Sequence, residues 1–252
     1  MNPPNKRNTW VRQFNPAHEA PVRVVCFPHA GGAASYFHPL SRALFPHADV
    51  LAIQYPGRQD RFGEPCIEDI FLIAERISDE LLTWSDRPLV LFGHSMGAAV
   101  AFETALRLES HEVTPLILFA SGRNAPSVRR RQRVDLATDA ELIAEVKRLN
   151  GANAAFLSDE ALLEVVMPSI RSDHRAVARY HNSTARPLRC PIVAMLGDVD
   201  PIVDIAEAQR WSHHTLSSFR MRVFSGGHFF LEQHADAVLD EIRASIRCAD
   251  GL

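Results

Sequence analysis

The chain has 252 residues, 46% of them hydrophobic, and a formal net charge of −3 at pH 7. That is enough for one large domain with a sizeable core, and the mild acidity excludes a strong pull toward nucleic acid. No run approaches the roughly 18 uninterrupted apolar residues of a membrane span, and the opening MNPPNKRNTW lacks the apolar core of a signal peptide.

The elements follow in chain order. Residues 1–20 are polar with scattered prolines and read as an extended lead-in. Val22–Phe27 is a β-branched run, hence a strand, ending in the small-residue turn PHAGGAA. Tyr36–Leu44 reads as helix, and Val50–Ile53 as a strand ending in QYPGR. Ile70, Ile73, Ala74, Ile77 and Leu81 have helical spacing within Ile67–Leu82. Leu89–Phe92 is a strand, Ala98–Leu108 a helix and Leu116–Ala120 a strand. Late in the chain come strand Ile192–Leu196, helix Ile205–Trp211, strand Arg220–Phe224 and helix Leu231–Ile246. Short apolar strands alternating with helices predict an α/β fold, a mainly parallel sheet with helices on both faces.

Between Arg123 and Pro187 the alternation stops. The segment opens with the basic RNAPSVRRRQRV and then turns helical. Thr138 and Glu141 fit a capping box, Asn150-Gly151 a C-cap, and Ser158-Asp-Glu the start of a second helix running past Pro168 toward Tyr180. The expectation is one domain over 1–252 with an all-helical insertion at about 125–186. The run Arg129–Arg131 with Arg133 has two readings: a dock for an acidic partner, or a solvated loop.

The chemistry centres on Gly93-His-Ser-Met-Gly97, between a strand and a helix. G-x-S-x-G in that setting is a nucleophile elbow: the serine takes a strained turn at the sheet's carboxyl edge, and the helix N-terminus favours developing negative charge. The alternative is a glycine-rich connector with a buried serine. A lone serine is a poor nucleophile and needs a base oriented by an acid. After the strand at Ile192–Leu196 comes GDVDPIVD, and after Arg220–Phe224 comes SGGHFFLEQH. His228 is therefore the expected base. His213 and His214 precede the last strand, and His234 falls inside the closing helix. His94, beside the nucleophile, is expected to pack or hydrogen-bond near the elbow. For the acid, Asp204 reads as the cap of the helix at Ile205, and Asp200 is favoured over Asp198. Backbone N–H groups of Met96 and Ala30 are the expected oxyanion donors.

Cys26, Cys66, Cys190 and Cys248 show neither C-x-x-C pairing nor metal-ligand spacing, which favours a reduced, cytoplasmic protein. There is no phosphate loop, zinc helix or dinucleotide fingerprint, so no metal or cofactor is expected.

PHAGGAASYF, QYPGRQDRF, FGHSMGAAVAFE, LGDVDP and FSGGHFFL together resemble the type II thioesterases, stand-alone α/β-hydrolases that accompany polyketide and nonribosomal peptide synthetases. The resemblance runs from Val22 to Leu239, and MPSIRSDHRAVARY resembles the family's helical lid. It implies that Ser95, Asp200 and His228 form a catalytic triad, with Ala30 and Met96 as oxyanion donors. It further implies an acyl or aminoacyl substrate on the phosphopantetheine of a carrier protein, and an editing role that releases stalled groups. The expected partners are carrier protein domains, with no nucleic acid or membrane, and the expected state is a monomer. The rival readings are a medium-chain fatty acyl thioesterase, a general carboxylesterase, a terminal thioesterase domain cut from a synthetase, and a non-catalytic partner with a hydrolase fold. The free-standing length and Met1 start speak against the terminal domain, and the intact serine, acid and histidine against the non-catalytic partner.

Overall fold

A computed structural model describes residues 10–128, 138–150 and 159–249. The run Arg129–Arg131 with Arg133, the expected cap residue Gly151, and Ser158 lie outside the described residues, as do residues 1–9. Among the described residues seven strands form one sheet: β1 (Val11–Arg12), β2 (Arg23–Phe27), β3 (Asp49–Ile53), β4 (Leu89–His94), β5 (Ile117–Ser121), β6 (Ile192–Gly197) and β7 (Phe219–Phe224). Their order is β1-β3-β2-β4-β5-β6-β7, antiparallel only between β1 and β3.

The sheet's apolar residues divide by alternation. Val25, Phe27, Leu51, Ile53, Leu89 and Leu91 pack on one face with helices α2 (Ile70–Leu81) and α3 (Met96–Ser110). Val24, Cys26, Val50, Ala52, Val90 and Phe92 pack on the other with α1 (His38–Leu44) and α8 (Ala235–Ala249). Strands buried on both faces leave no solvated side, so they read as continuous apolar runs rather than alternating ones. At the edge, β7 turns Arg220 and Arg222 toward Glu241, and a charged edge discourages further strand pairing.

Between β5 and β6 lie α4 (Asp139–Asn150) and α5 (Glu160–Arg179). The capping box forms: Thr138 N–H donates to the Glu141 carboxylate at 2.7 Å, and Glu141 N–H donates back to Thr138 Oγ1 at 3.3 Å. Asp159 caps α5 by accepting the Leu162 N–H, and the helix continues through Pro168. The short α6 (Ile205–Gln209) is capped by Asp204, as expected.

Three expectations need correction. Residues 10–20 are not merely a lead-in, because Val11 and Arg12 pair with Ile53 and Ala52 as an added edge strand. The helix expected from Tyr36 begins as a 3-10 turn over Ala34–Phe37. The closing helix is two helices, α7 (Phe230–Gln233) and α8, broken at His234, whose Nε2 lies 2.8 Å from the Ser225 carbonyl. Among the described residues no helix is long and apolar enough to cross a membrane.

Candidate active site

The carboxyl ends of β2, β4, β6 and β7 meet at one edge of the sheet, where open α/β sheets bind ligands. Ser95 follows β4 with φ 55° and ψ −115°, a conformation a non-glycine residue adopts only under constraint. Its N–H donates to the Ser121 carbonyl at 2.8 Å, fixing the elbow to the neighbouring strand. The turn works only with glycine on either side. A Cβ on Gly97 would stand 2.0 Å from the Phe27 carbonyl oxygen, and one on Gly93 2.2 Å from the Gly97 oxygen. Both glycines therefore serve close backbone approach, letting α3 start directly against the end of β2.

The loops after β6 and β7 are laced together. Asp198 N–H donates to the Phe224 carbonyl, Val199 N–H to the Gly226 carbonyl, and Gly226 N–H to the Asp198 carboxylate at 2.8 Å. Asp198 thus faces backbone. The same lacing brings Asp200 under His228, with Oδ2 2.7 Å from Nδ1 and both side chains buried. Oδ1 accepts the Ile202 N–H at 2.9 Å. A carboxylate on Nδ1 fixes the imidazole's tautomer and leaves Nε2 as the working nitrogen. Of the two candidate acids, the structure brings only Asp200 to the histidine.

Ser95 and His228 line one cavity, together with Ala30 and His29 from the turn after β2. In that turn Gly31 N–H donates to Asp173 and Gly32 N–H to the His29 carbonyl, while Ala30 N–H has no acceptor among the described residues. Met96 opens α3, so its N–H has no intrahelical acceptor. Glu145, Val146 and Leu149 of α4 and Val177 of α5 close the cavity to about 40 Å³, room for a few waters.

Two further histidines stand beside His228. Burial, then the neighbouring His228 and Arg58, lower His29 to about 3. Burial, then His228 and His29, hold His94 well below the usual imidazole range. His94 Nδ1 lies 2.9 Å from Ser121 Oγ, and its ring sits 5.0 Å from that of His228. Both are neutral at neutral pH; His94 packs against the His228 ring, the place expected for it, while His29 lines the cavity and packs on Phe229.

The model of a thioesterase domain matches residues 22–246. The chain belongs to the thioesterase family. It is 49% identical over 237 residues to a probable cadicidin biosynthesis thioesterase of Streptomyces griseus, covering 94% of this chain and 66% of the relative. It is 43% identical to thioesterase PikA5 of Streptomyces venezuelae, over 92% and 84% of the two chains. Among solved structures, the type II thioesterase BorB from the borrelidin cluster superposes with a TM-score of 0.90 at 45% identity, covering 94% and 98%. The α/β-hydrolase fold and the type II thioesterase resemblance both stand on these matches, and the chain is a thioester hydrolase by family.

This thioesterase also contains a buried ion pair to which the sequence reading gave no role. Arg58 of QYPGR and Asp173 of α5 pair through two hydrogen bonds, 2.6 and 2.8 Å, and Arg58 also donates to the Gly32 carbonyl at 3.0 Å. Burial works against the Arg58 charge, but attraction to Asp173 prevails and raises its pKa. Removing one partner of such a pair strands a buried charge at a cost on the order of 3–5 kcal/mol. The only sequence signal was that both residues fall in motifs that carry the resemblance.

Proposed function

We propose that this thioesterase releases acyl or aminoacyl groups from the phosphopantetheine arm of synthetase carrier proteins, with Ser95 as nucleophile, His228 as base and Asp200 as the acid that orients it. The observation that carries the reading is the Asp200–His228 contact in the cavity that holds Ser95. Ser95 Oγ attacks the thioester carbonyl and passes its proton to His228 Nε2. The oxyanion rests on the Ala30 and Met96 amides, which have no other use in the turn and the helix start. The C–S bond breaks and His228 protonates the sulfur, releasing the pantetheine thiol. Water then attacks the acyl-serine, gives a proton to the same histidine, and frees Ser95 and a carboxylic acid.

Thioester cleavage by this route requires no metal or organic cofactor, because the phosphopantetheine arrives with the substrate. The helices α4 and α5 act as a lid on one hydrolase domain. Glu145, Val146 and Leu149 of α4 line the cavity that holds Ser95, so a shift of α4 would widen it for an acyl-pantetheine. The reading also includes a monomer in the cytoplasm, where Cys26, Cys66 and Cys190 remain free thiols. Its test is release of acetyl or propionyl groups from a phosphopantetheinyl carrier protein beside a simple oxygen ester. Preference for the oxygen ester with no carrier activity would make the chain a general esterase.

A further inference from the structure

Three backbone amides follow one another in the turn after β2, and only the first is open to a ligand. Gly31 stands at φ +75°, a left-handed conformation, with Ile170 of α5 directly against it: a Cβ there would lie 2.9 Å from Ile170 Cγ1. Glycine takes that conformation without strain, and besides its internal bond from the Gly32 N–H to the His29 carbonyl the turn is tied to α5 through one carboxylate. Asp173 Oδ2 accepts the Gly31 N–H at 2.7 Å and an Arg58 N–H at 2.6 Å, and Arg58 reaches on to the Gly32 carbonyl. Gln54 completes the frame, accepting the Ala34 N–H and donating to the Arg58 carbonyl.

We infer that Asp173, clamped by Arg58, is a positioning residue for hydrolysis: it fixes the Gly31–Gly32 backbone and so aims the Ala30 N–H at the oxyanion. The inference rests on the reading of Ala30 as an oxyanion donor. Its consequence is that the two helices of the insertion differ in duty. Both line the cavity, α4 through Glu145, Val146 and Leu149 and α5 through His174 and Val177, but α5 is also part of the catalytic frame. An oxyanion donor acts through its position relative to the charge that develops, so a small tilt of the turn costs transition-state stabilisation while leaving ground-state binding almost intact.

The experiment compares two analogues of propionyl-pantetheine on the full chain. A trifluoromethyl ketone adds Ser95 and places an oxyanion in the hole, and the matching amide binds without addition. For Asp173→Ala we expect kcat to fall about 10- to 100-fold with KM within about threefold, because a misaimed donor retains part of its value. The ketone should weaken by a similar factor and the amide by less than about threefold. Asp173→Asn keeps an oxygen for the Gly31 N–H and Arg58→Lys keeps one cation, so each should recover part of the loss.

Equal weakening of ketone and amide would overturn the inference, as would an unchanged kcat in Asp173→Ala. If Asp173→Ala does not fold, Asp173→Asn and Arg58→Lys carry the test, and wild-type ketone affinity in both would overturn it. Ser95→Ala, run in parallel, separates this inference from the function reading. Hydrolysis surviving in Ser95→Ala sinks both. An inactive Ser95→Ala beside a fully active Asp173→Ala sinks only the role of Asp173.

Discussion

Asp200 Oδ2 stands 2.7 Å from His228 Nδ1, and its other oxygen accepts the Ile202 N–H at 2.9 Å. Both oxygens are committed, so the carboxylate cannot swing away from the imidazole without giving up a loop contact. Asp200→Asn should keep the shape but spoil the tautomer, lowering kcat by about 10³- to 10⁴-fold. Asp198→Asn should stay within about threefold, since its oxygen still accepts the Gly226 N–H. Steady-state kinetics on a carrier-bound thioester decide it, and equal losses in the two variants would remove Asp200 from its assigned role.

Gly97→Ala should be among the most damaging small substitutions in the chain. Its Cβ would fall 2.0 Å from the Phe27 oxygen and 2.7 Å from the Pro28 oxygen, both backbone atoms that cannot rotate aside. Overpacking of this kind costs about 3 kcal/mol or more. Gly63→Ala has nothing within 4 Å and should be nearly neutral. Urea unfolding of the two variants checks the contrast, and a Gly97→Ala protein of wild-type stability would contradict it.

The insertion should exchange its amide hydrogens unevenly. α5 is tied to the core by Asp173–Arg58 at its middle and, just past its end, by buried Tyr180, whose hydroxyl donates to Glu103 at 2.9 Å. α4 rests on α5 mainly through Leu142 and Val146 against Met167 and Ile170, with an Arg171–Asp139 ion pair beside them. Fewer buried contacts mean cheaper local opening. Hydrogen exchange should therefore be about 100-fold faster in α4 than in the second half of α5. Protection of α4 equal to that of α3 would count against its movement.

The candidate site was legible in the sequence because each piece sits next to a recognisable strand. Ser95 follows the LVLF run, Asp200 follows IVAML and His228 follows RMRVF, so local pattern sufficed to order them. What stayed hidden depends on distant partners. β1 is two residues long and exists only through its pairing with β3. The break at His234 comes from a contact with Ser225, while the local apolar spacing runs straight through. Arg58 and Asp173 are 115 positions apart, and no periodicity links an arginine in a loop to an aspartate on a helix. The resemblance flagged both segments, but only the fold shows that one holds the other.

Acid should destabilise the protein through its buried histidines. His29 is lowered from 6.5 to about 3 and His214 to about 4, each chiefly by burial, and His94 lies well below 6.5. These groups take up protons in the unfolded chain near pH 6.5 but resist them when folded. Their stability contribution is complete above pH 6.5 and is lost as the pH falls toward 4, at up to about 1.4 kcal/mol per pH unit for each histidine. Urea unfolding at pH 7 and pH 5 should show the decline, and stability equal or higher at pH 5 would refute it.

Under the proposed function Ser95, driven by His228, cleaves thioesters presented on a carrier protein. The most direct measurement is release of propionate from a propionyl-phosphopantetheinyl carrier protein by the wild-type chain and by Ser95→Ala, beside a matched oxygen ester. Fast release by the wild type is expected, with a weaker reaction on the oxygen ester and loss of release in Ser95→Ala of at least about 10³-fold. Carrier release that survives in Ser95→Ala, or a wild-type enzyme that cleaves only the oxygen ester, would contradict it.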